Sequence, residues 1–379
     1  MMQHWKFLVN SLELDAMPFY WRLGETAEGL AGIPRRMPIR ITIDGDRDYL
    51  KYVPSSEEWS CLDAAYKQDQ NIGFLNPESG QLDTYGSSVN RFFHETVERF
   101  KPKAIYEIGC GAGFSIKYLE HHGWDVTGID PSAYSRKWSE ETGFKLVNKF
   151  FDADDLPETP DFVFCNDVFE HVPEVETFSR TIFDALADNG VFCFCTTNST
   201  RSIELGDISM LEHQHVNMFS ERSIHEILLE AGFRQIEVKG GSYGNTFHVF
   251  AIKTERGQAV ELPRKNTQGY FEKAERCLAG FARLYEATDE LHGYVPLRCI
   301  PYLAAVGDYR RTSLYDSNLQ WRQKYIDGYE SPIHCLEDAT YNPGAKMFVG
   351  SNTFYKEIKA SLIKQGWPEA SVLGVSDLV

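Results

Sequence analysis

The sequence predicts an α/β chain organised around one open, mostly parallel sheet, with an α+β lead-in before it and a smaller α/β domain after it. Three observations carry that prediction. From Ala104 to Gly113 an apolar, strand-like run ends in an acid, three glycines follow at alternate positions, and an amphipathic segment (Phe114 to His122) is closed by Gly123. Further strand-like runs recur at Trp124–Asp130, Lys145–Phe151, Asp161–Asn166 and Val191–Thr197, each separated by helical or loop sequence. Beyond about Gln258 the composition shifts and a second, shorter alternation begins.

Taken in order, residues 1 to 85 form the lead-in. Arg36 to Ile43 alternates apolar and polar, Asp44-Gly45 is a turn signal, and Tyr49 to Tyr52 is placed to return as the other arm of a hairpin. After Tyr85-Gly86-Ser87-Ser88 a helix is expected, with Val89, Phe92, Phe93, Val97 and Phe100 on one face and Pro102 as its stop. That helix should pack on the sheet and bring Tyr85 near its ligand-binding end. The central domain is assigned to 86–256. Its later elements are a buried strand, Val191 to Thr197, and a helix from Glu221 to Ala231 capped by Ser220 and ended by Gly232. Two closing strands follow, near Gln235–Lys239 and Thr246–Lys253, separated by the turn Gly240 to Asn245.

The glycines at 109, 111 and 113 let the backbone turn sharply and approach a ligand, while the helix behind them presents free N–H groups. A dinucleotide fingerprint starting at Gly109 would need a sixth-position glycine, and Phe114 stands there. The pattern that does stand, Glu107-x-Gly109-x-Gly111-x-Gly113, resembles the first motif of class I S-adenosylmethionine (SAM)-dependent methyltransferases. The resemblance covers residues 86 to 254 and implies a Rossmann-like domain that takes SAM as cofactor.

On that resemblance Glu107, Gly109, Gly111 and Gly113 lie under the methionine part. Asp130, seventeen residues after Gly113, accepts the ribose hydroxyls, and Asp152 meets the adenine amino group. Asn166 then stands in the stretch facing the methyl group. An N-cap role for Asp130 remains compatible with ribose binding.

Length, charge and cysteines narrow the partners. A chain of 379 residues is long enough for two or three domains. Its formal charge of −17 argues against nucleic acid as a partner and favours a small-molecule acceptor. No apolar run is long enough to span a bilayer and the N-terminus has no signal-peptide pattern, so no membrane association and a cytoplasmic location are expected. The eight cysteines are scattered without a C-x-x-C, which predicts reduced core residues and no metal site.

Glu212-His213-Gln214-His215 precedes a Phe-Ser helix start. The stretch resembles the Tyr-His-Glu-His of methyltransferases that modify nucleotide-activated sugars, with Glu212 and Gln214 replacing the tyrosine and glutamate. A sugar hydroxyl needs a general base, and His215, or His213, suits that task by intrinsic pKa. With Tyr85 they are the catalytic candidates.

Residues 257–379 comprise a linker, a long helical stretch to about Leu291, a strand Thr312 to Asn318 ending near Asp316, a strand Ala345 to Gly350 and a helix from about Phe354 to Lys364. This part resembles the small Rossmann-like domain attached to sugar methyltransferases, although Val295-Pro296 stands where a glycine loop would be and only Cys61 precedes Cys110, so the N-terminal zinc cysteines of many members are missing. The expected function is therefore methyl transfer to a small polar acceptor, a sugar or nucleotide-linked sugar, with homodimerisation through the last domain open. Two rivals stand beside it: an O- or N-methyltransferase of another small metabolite, and a non-catalytic cofactor-binding or interaction protein.

Overall fold

The computed structural model describes residues 4–19, 23–45, 47–68, 84–241, 245–255 and 261–379. In chain order the elements begin with β1 (Trp5–Leu8), β2 (Ser11–Pro18), β3 (Leu23–Gly24), β4 (Arg36–Ile43), β5 (Tyr49–Tyr52), α1 (Ser56–Gln68) and α2 (Thr84–Phe100). Then come β6 (Ile105–Ile108), α3 (Phe114–His121), β7 (Val126–Ile129), α4 (Ala133–Thr142), β8 (Lys145–Val147), β9 (Phe162–Asn166), α5 (Val175–Ala185), β10 (Val191–Thr197) and α6 (Thr200–Leu205). The run continues with β11 (Asn217–Phe219), α7 (Glu221–Ala231), β12 (Gln235–Gly240), β13 (Thr246–Ile252), α8 (Tyr270–Glu286), β14 (Leu291–Tyr294) and α9 (Pro296–Ala305). It ends with β15 (Ser313–Asp316), β16 (Tyr325–Ile326), β17 (Ile333–Cys335), β18 (Lys346–Val349), α10 (Tyr355–Lys364) and β19 (Val372–Gly374).

These elements form two compact units. One is made by the described residues of 70–198 and 217–265, the other by those of 1–69, 199–216 and 266–379. The lead-in and the C-terminal part, read as separate regions from sequence, thus share a unit with an internal segment.

In the 70–198/217–265 unit a seven-stranded sheet runs β12-β13-β10-β9-β6-β7-β8. The central pairings β10–β9, β9–β6, β6–β7 and β7–β8 are parallel, and β13 returns antiparallel beside β10. This is the Rossmann-like arrangement of the methyltransferase fold. The middle strands are buried on both faces, as their continuous apolar runs require. Val89, Phe93 and Val97 of α2 enter the core with Ile105, Phe164 and Cys193. α2 opens at Thr84, one turn before the expected start. The third strand stops at Val147 instead of Phe151, because Asn148 turns out of the ladder and its Nδ2 donates to the carbonyls of Asp130 and Ser132. Ser220 caps α7 through a capping box with Ser223, and Gly232 ends that helix in the left-handed region at φ 116°. The expected turn at 240–245 falls partly outside the described residues.

In the other unit β1, β2, β4 and β5 form an antiparallel meander that includes the expected hairpin, with Ile41 opposite Tyr52. The C-terminal residues build a parallel sheet in the order β17-β15-β14-β18-β19. β16 pairs with β3, joining the two ends of the chain within this unit. The long helix α8 ends at Glu286, not Leu291, and Leu291 instead opens β14. All eight cysteines are unpaired and seven are buried. Among the described residues no helix is long and apolar enough to cross a membrane.

Gly280 marks how tightly α8 packs on the chain end: a Cβ there would lie 2.0 Å from the Leu378 carbonyl oxygen. Gly280→Ala should therefore destabilise this unit by about 1–3 kcal/mol through overpacking, seen as a lower thermal midpoint.

Candidate functional site

The turn after β6 has left-handed backbone at Gly109, Gly111 and Gly113, with φ of 70°, 51° and 73°. Only glycine adopts that region without strain at three alternate positions. Their surroundings differ. A Cβ on Gly109 would lie 2.5 Å from Cγ2 of Val168, and one on Gly113 would lie 2.5 Å from Cε1 of Phe144. A Cβ on Gly111 would meet nothing within 4 Å. Two of the glycines are closed by the protein's own side chains, and the middle one faces open space. α3 starts directly after Gly113, with no side-chain cap bond among the described residues, so its first N–H groups belong to this turn.

Carboxylates frame the turn. Asp130, at the end of β7, accepts from the Gly111 N–H at 3.0 Å and from the Ser132 N–H at 2.8 Å. The N-cap of α4 is Ser132, which takes that role from Asp130. Glu107 is buried, and burial first, then the charge of Asp130, raises its pKa well above the usual carboxylate value, opposed by hydrogen bonds from Ser115 and Ile116. Its Oε2 has no hydrogen-bond partner among the described residues. Asp152 is exposed and caps a short 3₁₀ turn, its Oδ1 accepting from the Asp154 N–H at 3.1 Å.

At the end of β9, Asn166 donates from Nδ2 to Asp167 at 3.0 Å, and the Tyr85 hydroxyl donates to Asp167 at 2.5 Å while lying 3.3 Å from Asn166 Oδ1. Burial, and next the negative Asp167, push the Tyr85 pKa upward. Tyr85 is held as a hydrogen-bond donor to Asp167. The structure brings Tyr85, Glu107, the three glycines, Asp130 and Asn166 into one unit, with Asp152 on that unit's surface.

His213 and His215 belong to the other unit. His213 is 3% exposed; its Nε2 lies 3.2 Å from the Pro38 carbonyl oxygen, and the rings of Phe19 and Tyr52 meet it edge-on at 5.4 and 5.7 Å. Burial pushes its pKa down to about 4. An imidazole buried against a carbonyl in this way serves as a packing peg. His215 differs: its Nδ1 pairs with the Glu212 carboxylate, and both side chains keep some exposure. Sequence reasoning treated Glu212 only as a replaced tyrosine. No local rule marks the pair in the sequence, because residues 211–216 are not helical and i,i+3 neighbours meet only on a helix. In the C-terminal sheet, Asp316 accepts the Asn318 N–H at 2.8 Å, the local strand-end bond of an Asx turn.

Residues 81–238 match the family model described as a methyltransferase domain, and this part of the chain is a methyltransferase domain. Ubiquinone biosynthesis O-methyltransferase of Photobacterium profundum is 34% identical over 104 residues, covering 25% of this chain and 44% of that protein. The protein of the same name from Rickettsia canadensis is 25% identical over 155 residues, covering 37% and 66%. The chain spans about half the length of the curated relatives it matches. Among solved structures, human N-acetylserotonin methyltransferase in complex with SAM aligns with a TM-score of 0.37 and 17% identity over 45% of this chain and 52% of that one.

The buried neutral His213 has a consequence for stability. Its folded pKa of about 4 lies below the unfolded value of about 6.5, so between these pH values the unfolded chain binds the extra proton and stability falls as pH falls. His213→Phe should flatten the decline of the unfolding free energy between pH 6.5 and 4. An unchanged slope would contradict the peg assignment.

Proposed function

We propose that the chain transfers a methyl group from SAM to a small polar acceptor, with a sugar or nucleotide-linked sugar as the first acceptor class to test. The observation that carries this reading is the open face of Gly111 inside a turn otherwise closed by Val168 and Phe144. A bare α-carbon there leaves room for a ligand to approach the backbone. Bound SAM supplies an electrophilic methyl group on a sulfonium. The protein's own residues would hold it and exclude water.

Within that reading, the turn 109–113 lies under the methionine part. Glu107, buried with Oε2 lacking a partner among the described residues, is suited to a cationic donor. Asp130 holds the ribose hydroxyls, Asp152 the adenine amino group, and Asn166 borders the methyl end. A hydroxyl acceptor needs a base, and His215, whose Nδ1 pairs with the Glu212 carboxylate that orients the ring, is the candidate. The O–CH₃ bond forms as the S–CH₃ bond breaks, and the bond pair stays on sulfur.

A second reading follows from the relatives' printed name, ubiquinone biosynthesis O-methyltransferase. It keeps the chemistry and replaces the sugar with another small hydroxyl-bearing metabolite. Thermal-shift titration of the S-adenosylhomocysteine-bound protein with nucleotide-sugars separates the two. A rise in midpoint supports the sugar reading, and no rise across a panel favours the other metabolite.

Gly111→Val should abolish S-adenosylhomocysteine binding while the circular dichroism spectrum stays native, because the side chain fills the open face. Retained affinity would contradict the assignment of the turn. His215→Ala should lower turnover by about 100-fold with cofactor affinity unchanged. Unaltered turnover would remove His215 from the mechanism.

A further inference from the structure

Asp167 is a non-glycine residue in the left-handed region, at φ 50°. It stands immediately after β9, where its N–H donates to the Cys195 carbonyl at 3.2 Å. Its carboxylate receives the Tyr85 hydroxyl from the first turn of α2 and the Nδ2 of Asn166. The next residue, Val168, lies flat on the first glycine of the turn: its Cγ2 is 2.5 Å from where a Cβ of Gly109 would be. The Val168 carbonyl accepts from the His171 N–H at 2.9 Å, which holds the segment from its other side.

From this chain of contacts we infer that Tyr85 and Asp167 form a clasp that positions the glycine turn for its ligand, acting through Val168 on Gly109. The inference rests on the reading of 109–113 as the cofactor turn. Both are positioning residues: neither is required to touch the reacting atoms. The left-handed bend at Asp167 aims Val168 down onto Gly109, and the Tyr85 hydroxyl holds the carboxylate that stabilises the bend. Gly109 in turn is tied to the next strand by its N–H, which donates to the Ile129 carbonyl at 2.8 Å. Loss of the clasp frees Val168 to shift, and the turn loses the wall that sets its first glycine.

The test is calorimetric titration of the full chain with S-adenosylhomocysteine, for wild type, Tyr85→Phe, Asp167→Gly, Asp167→Asn and the Tyr85→Phe/Asp167→Gly double variant. Phenylalanine keeps the ring of Tyr85 in the core, and glycine accepts the left-handed backbone without the carboxylate. Tyr85→Phe and Asp167→Gly should each weaken binding about tenfold, the effect of one hydrogen bond to a charged group. The double variant should be no weaker than Asp167→Gly alone, since that change already removes the bond to Tyr85. Asp167→Asn, whose amide oxygen still accepts from Tyr85 and whose backbone tolerates this φ, should recover part of the loss. Wild-type affinity in both single variants, or losses that multiply in the double one, would overturn the clasp. If an Asp167 variant fails to fold, the affinity of Tyr85→Phe decides. Absence of binding by the wild-type protein would instead refute the cofactor reading itself.

Discussion

The hydrogen bond from the Gly111 N–H to the Asp130 carboxylate, 3.0 Å long, is the contact on which the methyltransferase domain turns. It joins the loop after β6 to the end of β7, and it does so across a backbone that runs left-handed at three alternate positions. An L side chain at each would cost about 1–2 kcal/mol from backbone strain alone. Val168 and Phe144 close the space beside the outer glycines, so the turn is braced by packing on both sides and left open in the middle. Burial of Glu107 beneath it adds a carboxyl whose charged form is disfavoured unless a donor arrives. On the proposed cofactor reading, shape and electrostatics favour the same kind of occupant, one with a positive group and little bulk beside Gly111.

The other unit is held by buried carboxylates that meet hydroxyls, amides and backbone N–H groups. Asp207 accepts from Ser202 Oγ at 2.9 Å, from the Ser209 N–H at 2.8 Å, from Ser209 Oγ at 2.7 Å and from the Tyr302 hydroxyl at 2.9 Å, with Asn352 also donating. Asp308 collects the N–H groups of residues 310–312, and Asp48 those of Asn266 and Thr267. In an acidic chain of net charge −17 this arrangement satisfies buried acids without drawing on a small supply of cations. The segment carrying Glu212 and His215 is fixed by Asp207 before it and by the His213 peg within it, so the acid–histidine pair sits on a constrained backbone.

Much of the central domain was legible because its signals are local. The alternate glycines, the strand-ending acids and the 3.6-residue apolar period of α2 are each set by a few neighbouring residues. What could not be read depends on distant partners. That Gly109 is closed by Val168 and Gly111 by nothing is a tertiary fact, and so is the pairing of Tyr85 with Asp167. His213 and His215 differ by two positions and look equivalent in sequence, yet Pro38, Phe19 and Tyr52 bury one of them. The boundary of α8 was misplaced because Ala287 and Thr288 offer no glycine or proline stop, and Leu291 kept the apolar period alive while β14 claimed it. The three-segment unit was hidden for a plainer reason: a window along the chain cannot see that β16 pairs with β3.

Calorimetric titration of the wild-type protein with S-adenosylhomocysteine and, separately, with NAD tests the central assignment most directly. Saturable binding of S-adenosylhomocysteine and none of NAD is the expected result. Binding of NAD without S-adenosylhomocysteine would contradict it and would make the open face of Gly111 a dinucleotide site.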